Sequence, residues 1–403
     1  MNPKNLEKLT RAYALKNALA YNGKANQGSV ISSLFHEGLK KEELKNHIKT
    51  ISKIVSEVNS LSIQQQKEEF EKSEKIVSER KGREGLSDLP NVPKSGIVMR
   101  FAPSASGPLH VGHAIAVSLS YLYVKKYGGK LYIRIEDTNP DNIYPKAYKM
   151  ISDDSKWLCD KKSKIMIQSD RMKIYYKYAE NLIKKKATYI CTCSPEEFEK
   201  YVEAMKNCPC RNLSVKENLE KWKKMLDKSK NGFKQGDAVL RFKSDMRHPN
   251  PAMRDFPLAR INLTKHPKQK NKFKVWPLMN LAVIVDDIET KVTHTIRGKD
   301  HVDNAKKQEM IYKVLGKKSP WNAFIGRLKF KDMELSTTKM RRDIESGIYS
   351  GWDDPKLPTL ISLKKQKYRP SAFWKFAERI GLSEVDKVID KKEFFTLLNS
   401  FNK

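Results

Sequence analysis

Cysteine is scarce, with five in 403 residues. That number excludes a disulfide-stapled scaffold, and a chain this long needs none because it can bury about two to four cores. No apolar stretch approaches the ~20 residues that cross a bilayer. The amino-terminal MNPKNLEKLTRAYALKNALA reads as a helix of mixed charge, not a targeting leader. The expected setting is therefore the reducing cytoplasm, away from membranes. Carboxylates are in deficit: 47 Asp+Glu stand against 79 Lys+Arg, a formal net charge of +32. An excess of that size favours a polyanionic partner, nucleic acid first, although a lysine-rich proteome also yields basic proteins. No internal repeat or low-complexity tract is present.

Residues 1 to about 85 are almost free of proline, and LKKEELKNHIKTISKIVSEVNSL spaces its apolar residues as a helix does. The linker LSDLPNVPKSG follows. IVMRF (97–101) and KLYIRIED (130–137) then read as strands around a helix over 109–127, a βαβ unit that predicts a parallel sheet. Residues 187–265 read as an insertion, with AVLRFKSD as a strand. VWPLMNLAVIVDDI (275–288) reads as a buried strand or strand–helix, and VTHTIRG (292–298) as a further strand entering the loop GKDHVDN. From about 320 the pattern is mostly helical, with MELSTTKMRRD as a loop.

The stretch FAPSASGPLHVGHA (101–114) lies between the first strand and its helix. In open α/β sheets ligands bind at such strand ends. Pro108 suits the first helical position, with Ser106 or Gly107 as cap. Free N–H groups and the helix dipole then make a phosphate site. His110 and His113, three apart, share one face of that turn. Gly112, lacking a side chain, leaves room for a flat ring such as adenine. Two histidines of purely structural use are the alternative, disfavoured because Pro, Gly, His, Gly and His fall together in one strand–loop–helix context. A small nucleotidyltransferase would also use this pair, but would not need so much chain.

Four cysteines fall in two CxC pairs, Cys191/Cys193 and Cys208/Cys210. A short helical segment between them lets four thiolates converge as Zn²⁺ prefers in structural sites. A small subdomain with little core would draw folding energy from such a metal. Free or redox-active thiols are the alternative. Cys159 stands alone and reads as packing.

Taken together, RFAPSASGPLHVGHA, RIEDTNP, VTHTIRGKDHVDN and LSTTK with RRDI and GWDDPKLPTL resemble, in order, the signatures of class I aminoacyl-tRNA synthetases of the glutamyl/glutaminyl subgroup. ALKNALAYNGKANQGSVI resembles the helical extension of archaeal-type glutamyl members. The resemblance covers nearly the whole chain. It implies an α/β fold with a Rossmann-like catalytic domain in two halves (96–186 and 266–325). A helical extension (1–95) would precede it. A zinc- and acceptor-end-binding subdomain (187–265) would be inserted in it. A mobile-loop and helical stem-contact region (326–403) would follow.

The resemblance further implies ATP-dependent activation of glutamate and its transfer to the 3′-terminal adenosine of tRNA(Glu), with tRNA(Gln) open as a second acceptor and tRNA needed for the first step; a glutaminyl-tRNA synthetase is the nearest enzymatic alternative. His110, His113 and Lys339 would be catalytic. Pro103, His110, Gly112, His113, Leu335 and Lys339 would bind ATP with its Mg²⁺. Arg100, Ala102, Ser104, Glu136, Met279 and Arg297 would hold the amino acid. An arginine grips a carboxylate bidentately, and Glu136 would accept from the α-ammonium. Zn²⁺ would sit on the four cysteines, and the protein would act as a monomer. Two departures stand out: Met279 replaces a tyrosine found in bacterial members, and Thr338 precedes Lys339 where the mobile-loop signature has serine. Archaeal glutamyl members continue into anticodon-binding β-barrels, whereas this chain stops at LLNSFNK. It is then a piece of a longer protein, the partner of a separate anticodon-binding polypeptide, or a short relative that glutamylates another acceptor. A non-catalytic RNA-binding relative is the reading from a different class.

Overall fold

The computed structural model describes residues 3–77 and 85–403. Two compact units, 1–82 and 83–403, divide the chain. The first holds α1 (Pro3–Ala20), α2 (Gln27–His36), α3 (Leu44–Ser60) and α4 (Ile63–Ser73). Its core is a cluster of Leu6, Leu15, Leu34, Ile51 and Val58 among others, so the helical spacing of the sequence is used as a buried stripe. Ser62 and Gln65 close a capping box at the start of α4. The unit ends earlier than the 95 expected from the sequence. Residues 78–84 lie outside the described residues, and Leu86, Leu89 and Val92 pack into the core of the second unit.

The second unit opens with β1 (Ile97–Phe101), α5 (Val111–Tyr127), β2 (Gly129–Ile135), α6 (Ala147–Leu158), β3 (Ser163–Ile167) and α7 (Met172–Lys184). The predicted βαβ unit is present: β1 pairs with β2 and β2 with β3, all parallel. The tight exit from α5 needs glycine. Gly129 has φ +122°, and a Cβ there would lie 1.8 Å from the Ile97 carbonyl oxygen.

Residues 188–277 build a four-stranded antiparallel sheet in chain order: β4 (Thr188–Cys191), β5 (Val239–Phe242), β6 (Pro257–Ile261) and β7 (Val275–Pro277). Between β4 and β5 run α8 (Pro195–Glu203) and α9 (Val215–Leu226), each opened by a Ser–Glu capping box. The insertion's sheet thus takes its last strand from beyond residue 265, because β7 pairs with β6.

After α10 (Met279–Glu289), the chain returns through β8 (His294–Gly298), α11 (Val302–Leu315) and β9 (Trp321–Ile325), with β8 and β9 parallel. The Thr293 N–H donates to the Val98 carbonyl at 2.9 Å, which sets this pair beside β1 on the side away from β2. The chain therefore winds outward from β1 in both directions. The carboxyl end of β1 is the topological switch point, where open α/β sheets bind ligands. The remainder comprises β10 (Leu328–Phe330), α12 (Thr337–Glu345), α13 (Leu360–Lys365), α14 (Pro370–Ile380), β11 (Lys387–Ile389) and α15 (Lys391–Phe401). Among the described residues no helix is long and apolar enough to cross a membrane.

Candidate active site

The loop after β1 departs from the sequence reading at its cap. Helix α5 begins at Val111, and its cap is His110, not Ser106 or Gly107; Pro108 lies before the helix. The histidines take over the capping chemistry. His110 Nδ1 accepts the Gly112 N–H at 3.1 Å, and His113 Nδ1 accepts the His110 N–H at 3.4 Å. Their rings stack with centroids 3.7 Å apart. An Nδ1 that accepts leaves the proton on Nε2 in a neutral imidazole. Burial pulls His113 down to about 4; burial, with His113 beside it, holds His110 well below the usual imidazole range. Both rings are therefore neutral at neutral pH, and each offers an Nε2–H donor.

The loop itself is clamped to β2. Glu136 N–H donates to the Pro103 carbonyl at 2.8 Å, and Ala105 N–H to the Glu136 carbonyl. Beside it, Arg100, Ala102, Glu136, Met279 and Arg297 line one cavity of about 120 Å³, together with Arg134 and His301. Ser104 is not among the lining residues; its hydroxyl lies 3.1 Å from that of Ser106. A larger cavity of about 490 Å³ opens at the amino ends of β8 and β9, beside Lys291, Lys317 and Trp321. The smaller one carries the convergent charges and is the better candidate for chemistry.

Those charges are ordered by partners that sequence reading missed. Arg100 and Arg134 share Asp287, both within hydrogen-bond reach; Arg134 also meets Glu136 at 3.2 Å, and Arg171 meets Asp286 at 2.7 Å. Asp287 is buried, which alone would raise its pKa, but Arg100 and Arg134 hold it below the usual carboxylate range. Arg297 has no carboxylate partner in this set: its guanidinium donates to Gln308 at 2.8 Å. Burial, with Arg100 beside it, pulls Arg297 down to about 10. Four guanidiniums (Arg100, Arg134, Arg171, Arg297) thus face three carboxylates (Glu136, Asp286, Asp287), leaving one positive charge for an anionic ligand. Two signals in the sequence could have found these residues. Arg134 in β2 and Glu136 just beyond its end share a face at period two, and an Asp pair inside the apolar run VIVDDI requires buried partners.

The mobile-loop segment folds onto this site. Ser106 and Thr337 hydroxyls meet at 2.9 Å. A Cβ on Gly112 would lie 3.0 Å from Leu335 Cδ1, so Leu335 covers the space expected for a flat ring. The loop predicted at MELSTTKMRRD is helical from Thr337, because Ser336 caps α12 through the Lys339 N–H. Lys339 is exposed and ion-paired with Glu334 at 2.5 Å, which raises its pKa.

The four cysteines do converge. Their sulfurs lie within 4.8 Å of one another, with Cys191–Cys208 at 3.9 Å and Cys193–Cys210 at 3.8 Å. A tetrahedral zinc with Zn–S near 2.3 Å sets its sulfurs about 3.8 Å apart, so the set fits that ion. Cys191 and Cys208 share one S–H···S contact, and that contact with burial splits the pair, lowering Cys208 and raising Cys191. Cys159 is buried and packs in the catalytic core.

The profile of the family described as tRNA synthetases class I (E and Q), catalytic domain, matches residues 96–400. The chain belongs to that class of enzymes. Two similar curated proteins are each named glutamate–tRNA ligase. The Methanothermobacter marburgensis protein is 42% identical over 97% of this chain and 70% of its own length. The Methanocaldococcus jannaschii protein is 44% identical over 93% of this chain and 66% of its own length. The fold agrees with a crystal structure of a glutamate tRNA ligase from Elizabethkingia meningosepticum in complex with its amino acid. That structure has a TM-score of 0.53 at 21% identity, covering 75% of this chain and 68% of the other.

Proposed function

We infer that the chain is a glutamate–tRNA ligase that forms glutamyl-adenylate and passes the glutamyl group to the 3′-terminal adenosine of tRNA. The observation that carries this reading is the pocket whose lining, with the ion pairs behind it, keeps one surplus positive charge beside two neutral Nε2–H donors. Glutamate carries a net charge of −1 and matches that surplus; glutamine is neutral and does not. The arginine left without a carboxylate, Arg297, takes the side-chain carboxylate, whose negative charge offsets the repulsion from Arg100. Glu136 accepts from the α-ammonium.

The α-carboxylate of glutamate then attacks the α-phosphorus of ATP, and pyrophosphate leaves. His110 and His113 donate to the phosphoryl oxygens where negative charge grows. Lys339, once free of Glu334, neutralises the departing pyrophosphate. Mg²⁺ bound with ATP would neutralise phosphate charge. In the second step the ribose 2′-OH attacks the carbonyl carbon of the mixed anhydride, and AMP leaves.

The cysteine subdomain would hold one Zn²⁺ through Cys191, Cys193, Cys208 and Cys210, stabilising the sheet β4–β7 from which Arg260 extends as an exposed strand residue. That sheet is the candidate grip on the acceptor end, through salt-dependent phosphate contacts. Whether tRNA(Gln) is a second acceptor is read from one assay, and a separately supplied anticodon-binding polypeptide, added to it, reads whether charging depends on such a partner. Total archaeal tRNA is charged with labelled glutamate and, separately, glutamine at low salt, with purified tRNA(Glu) and tRNA(Gln) alongside. Glutamate charging that Arg297→Gln reduces supports the reading. Charging with glutamine in preference to glutamate overturns it. Metal analysis of the purified chain is expected to give one zinc, lost in Cys193→Ser.

A further inference from the structure

One buried carboxylate is left over by this mechanism. Asp154, on α6, is fully buried, and one of its oxygens has no hydrogen-bond partner. Burying a charge half-satisfied is expensive. The other oxygen accepts the Leu109 N–H at 3.1 Å, in a buried bond. Leu109 immediately precedes His110, the cap of α5. The same short stretch is held from the other side by the segment leading into α13. Leu360 N–H donates to the Leu109 carbonyl at 2.8 Å, and Val111 N–H to the Pro358 carbonyl at 3.0 Å. Every free backbone group around His110 is therefore pinned, with Asp154 on the α6 side. A carboxylate bonds an N–H more strongly than an amide does, and it lies at the positive end of α5.

We propose that Asp154 is a positioning residue: its carboxylate fixes the backbone at Leu109 and so sets the stacked His110–His113 pair against the phosphates. This rests on the reading of that pair as the phosphate-binding histidines. The groups around Asp154 make its charge conditional. Burial lifts it to about 7, opposed by Lys364 on α13, whose Nζ is 3.9 Å away, and assisted by Asp153 on its own helix. On the α5 side the two histidines are neutral. On β2, Arg134 is committed to Asp287 and Lys130 is exposed; on β3, Lys164 is exposed. Protonation near neutrality would weaken the hold on Leu109.

The test uses ATP–pyrophosphate exchange with glutamate and tRNA present, together with NMR of labelled histidine rings, which needs no activity. Asp154→Ala is expected to lower kcat about 10–100-fold, the scale of a small misplacement of catalytic groups, with KM for glutamate within about twofold. Its histidine rings are expected to titrate nearer 6.5 than the about 4 of His113 in the parent. Asp154→Asn, which keeps an acceptor oxygen, should restore most of kcat and remove the midpoint near neutrality from the pH profile. Lys364→Met should move that midpoint upward. An Asp154→Ala protein with parental kcat and parental histidine titration overturns the proposal. So does an Asp154→Asn protein with the parental pH midpoint, should the alanine variant fail to fold. If the parent itself shows no exchange, the functional reading fails, while the histidine titrations still decide the role of Asp154.

Discussion

The first turns of α5 and α12 carry the residues assigned to the phosphates of ATP, yet they are built in opposite ways. At α5, His110 is buried, both rings are neutral, and each ring closes a backbone hydrogen bond. At α12, Lys339 is exposed, fully charged and tied to a neighbouring glutamate. Burial fixes the geometry of the first and removes its charge. Exposure preserves the charge of the second and lets it be redirected. Stabilising a phosphoryl transition state needs donors already in place; neutralising a leaving group needs only a charge that can arrive.

The largest test of that contrast is His113→Ala. It removes a preorganised donor and is expected to lower the exchange rate about 10²–10³-fold, as loss of one oxyanion donor does. A smaller loss would mean the stacked pair is structural. Lys339→Ala should cost less, about tenfold or more, and the loss should appear in kcat. Glu334→Ala should leave kcat within a few-fold of the parent, because Glu334 only parks the lysine; a large fall would mean that the ion pair is part of the working geometry. Gly112→Ala tests the seam between the two helices. Its methyl would press on Leu335 and the His110 ring, at a strain of about 1–3 kcal/mol, read as a raised KM for ATP that Leu335→Ala relieves. The smallest effect expected is Ser336→Ala, which removes the cap of α12 for about 1 kcal/mol and should speed amide exchange in its first turn while leaving α5 unchanged.

Much of this was legible because the signals are local. IVMRF, the helix to Tyr127 and the strand before RIED fold where period and glycines place them. The CxC pairs converge because α8 and the turn after it are short. One small cavity gathers five of the six residues expected around the amino acid, Ser104 excepted. What local reading misplaced were positions decided by a distant partner. His110 displaces Ser106 as cap because the backbone on both sides of it is held by distant segments, Leu109 by Asp154 and Leu360 and Val111 by Pro358. Residues 337–345 are helical because Met340 is buried with Trp352 and Leu357. Leu335 closes over Gly112 from more than two hundred positions away in sequence.

The order of motifs, the phosphate-binding turn, the thiolate set and the surplus of positive charge are properties of residue type and spacing, and the sequence carried them unaided. Which arginine remains free was decided only in three dimensions. Asp287 lies 187 residues from Arg100 and 153 from Arg134, and no periodicity relates them. Folding brings that carboxylate to two guanidiniums and leaves Arg297 buried without one. A charge buried without a counter-charge is costly until a ligand supplies one, and that cost is the physical basis on which an anion is proposed for this pocket.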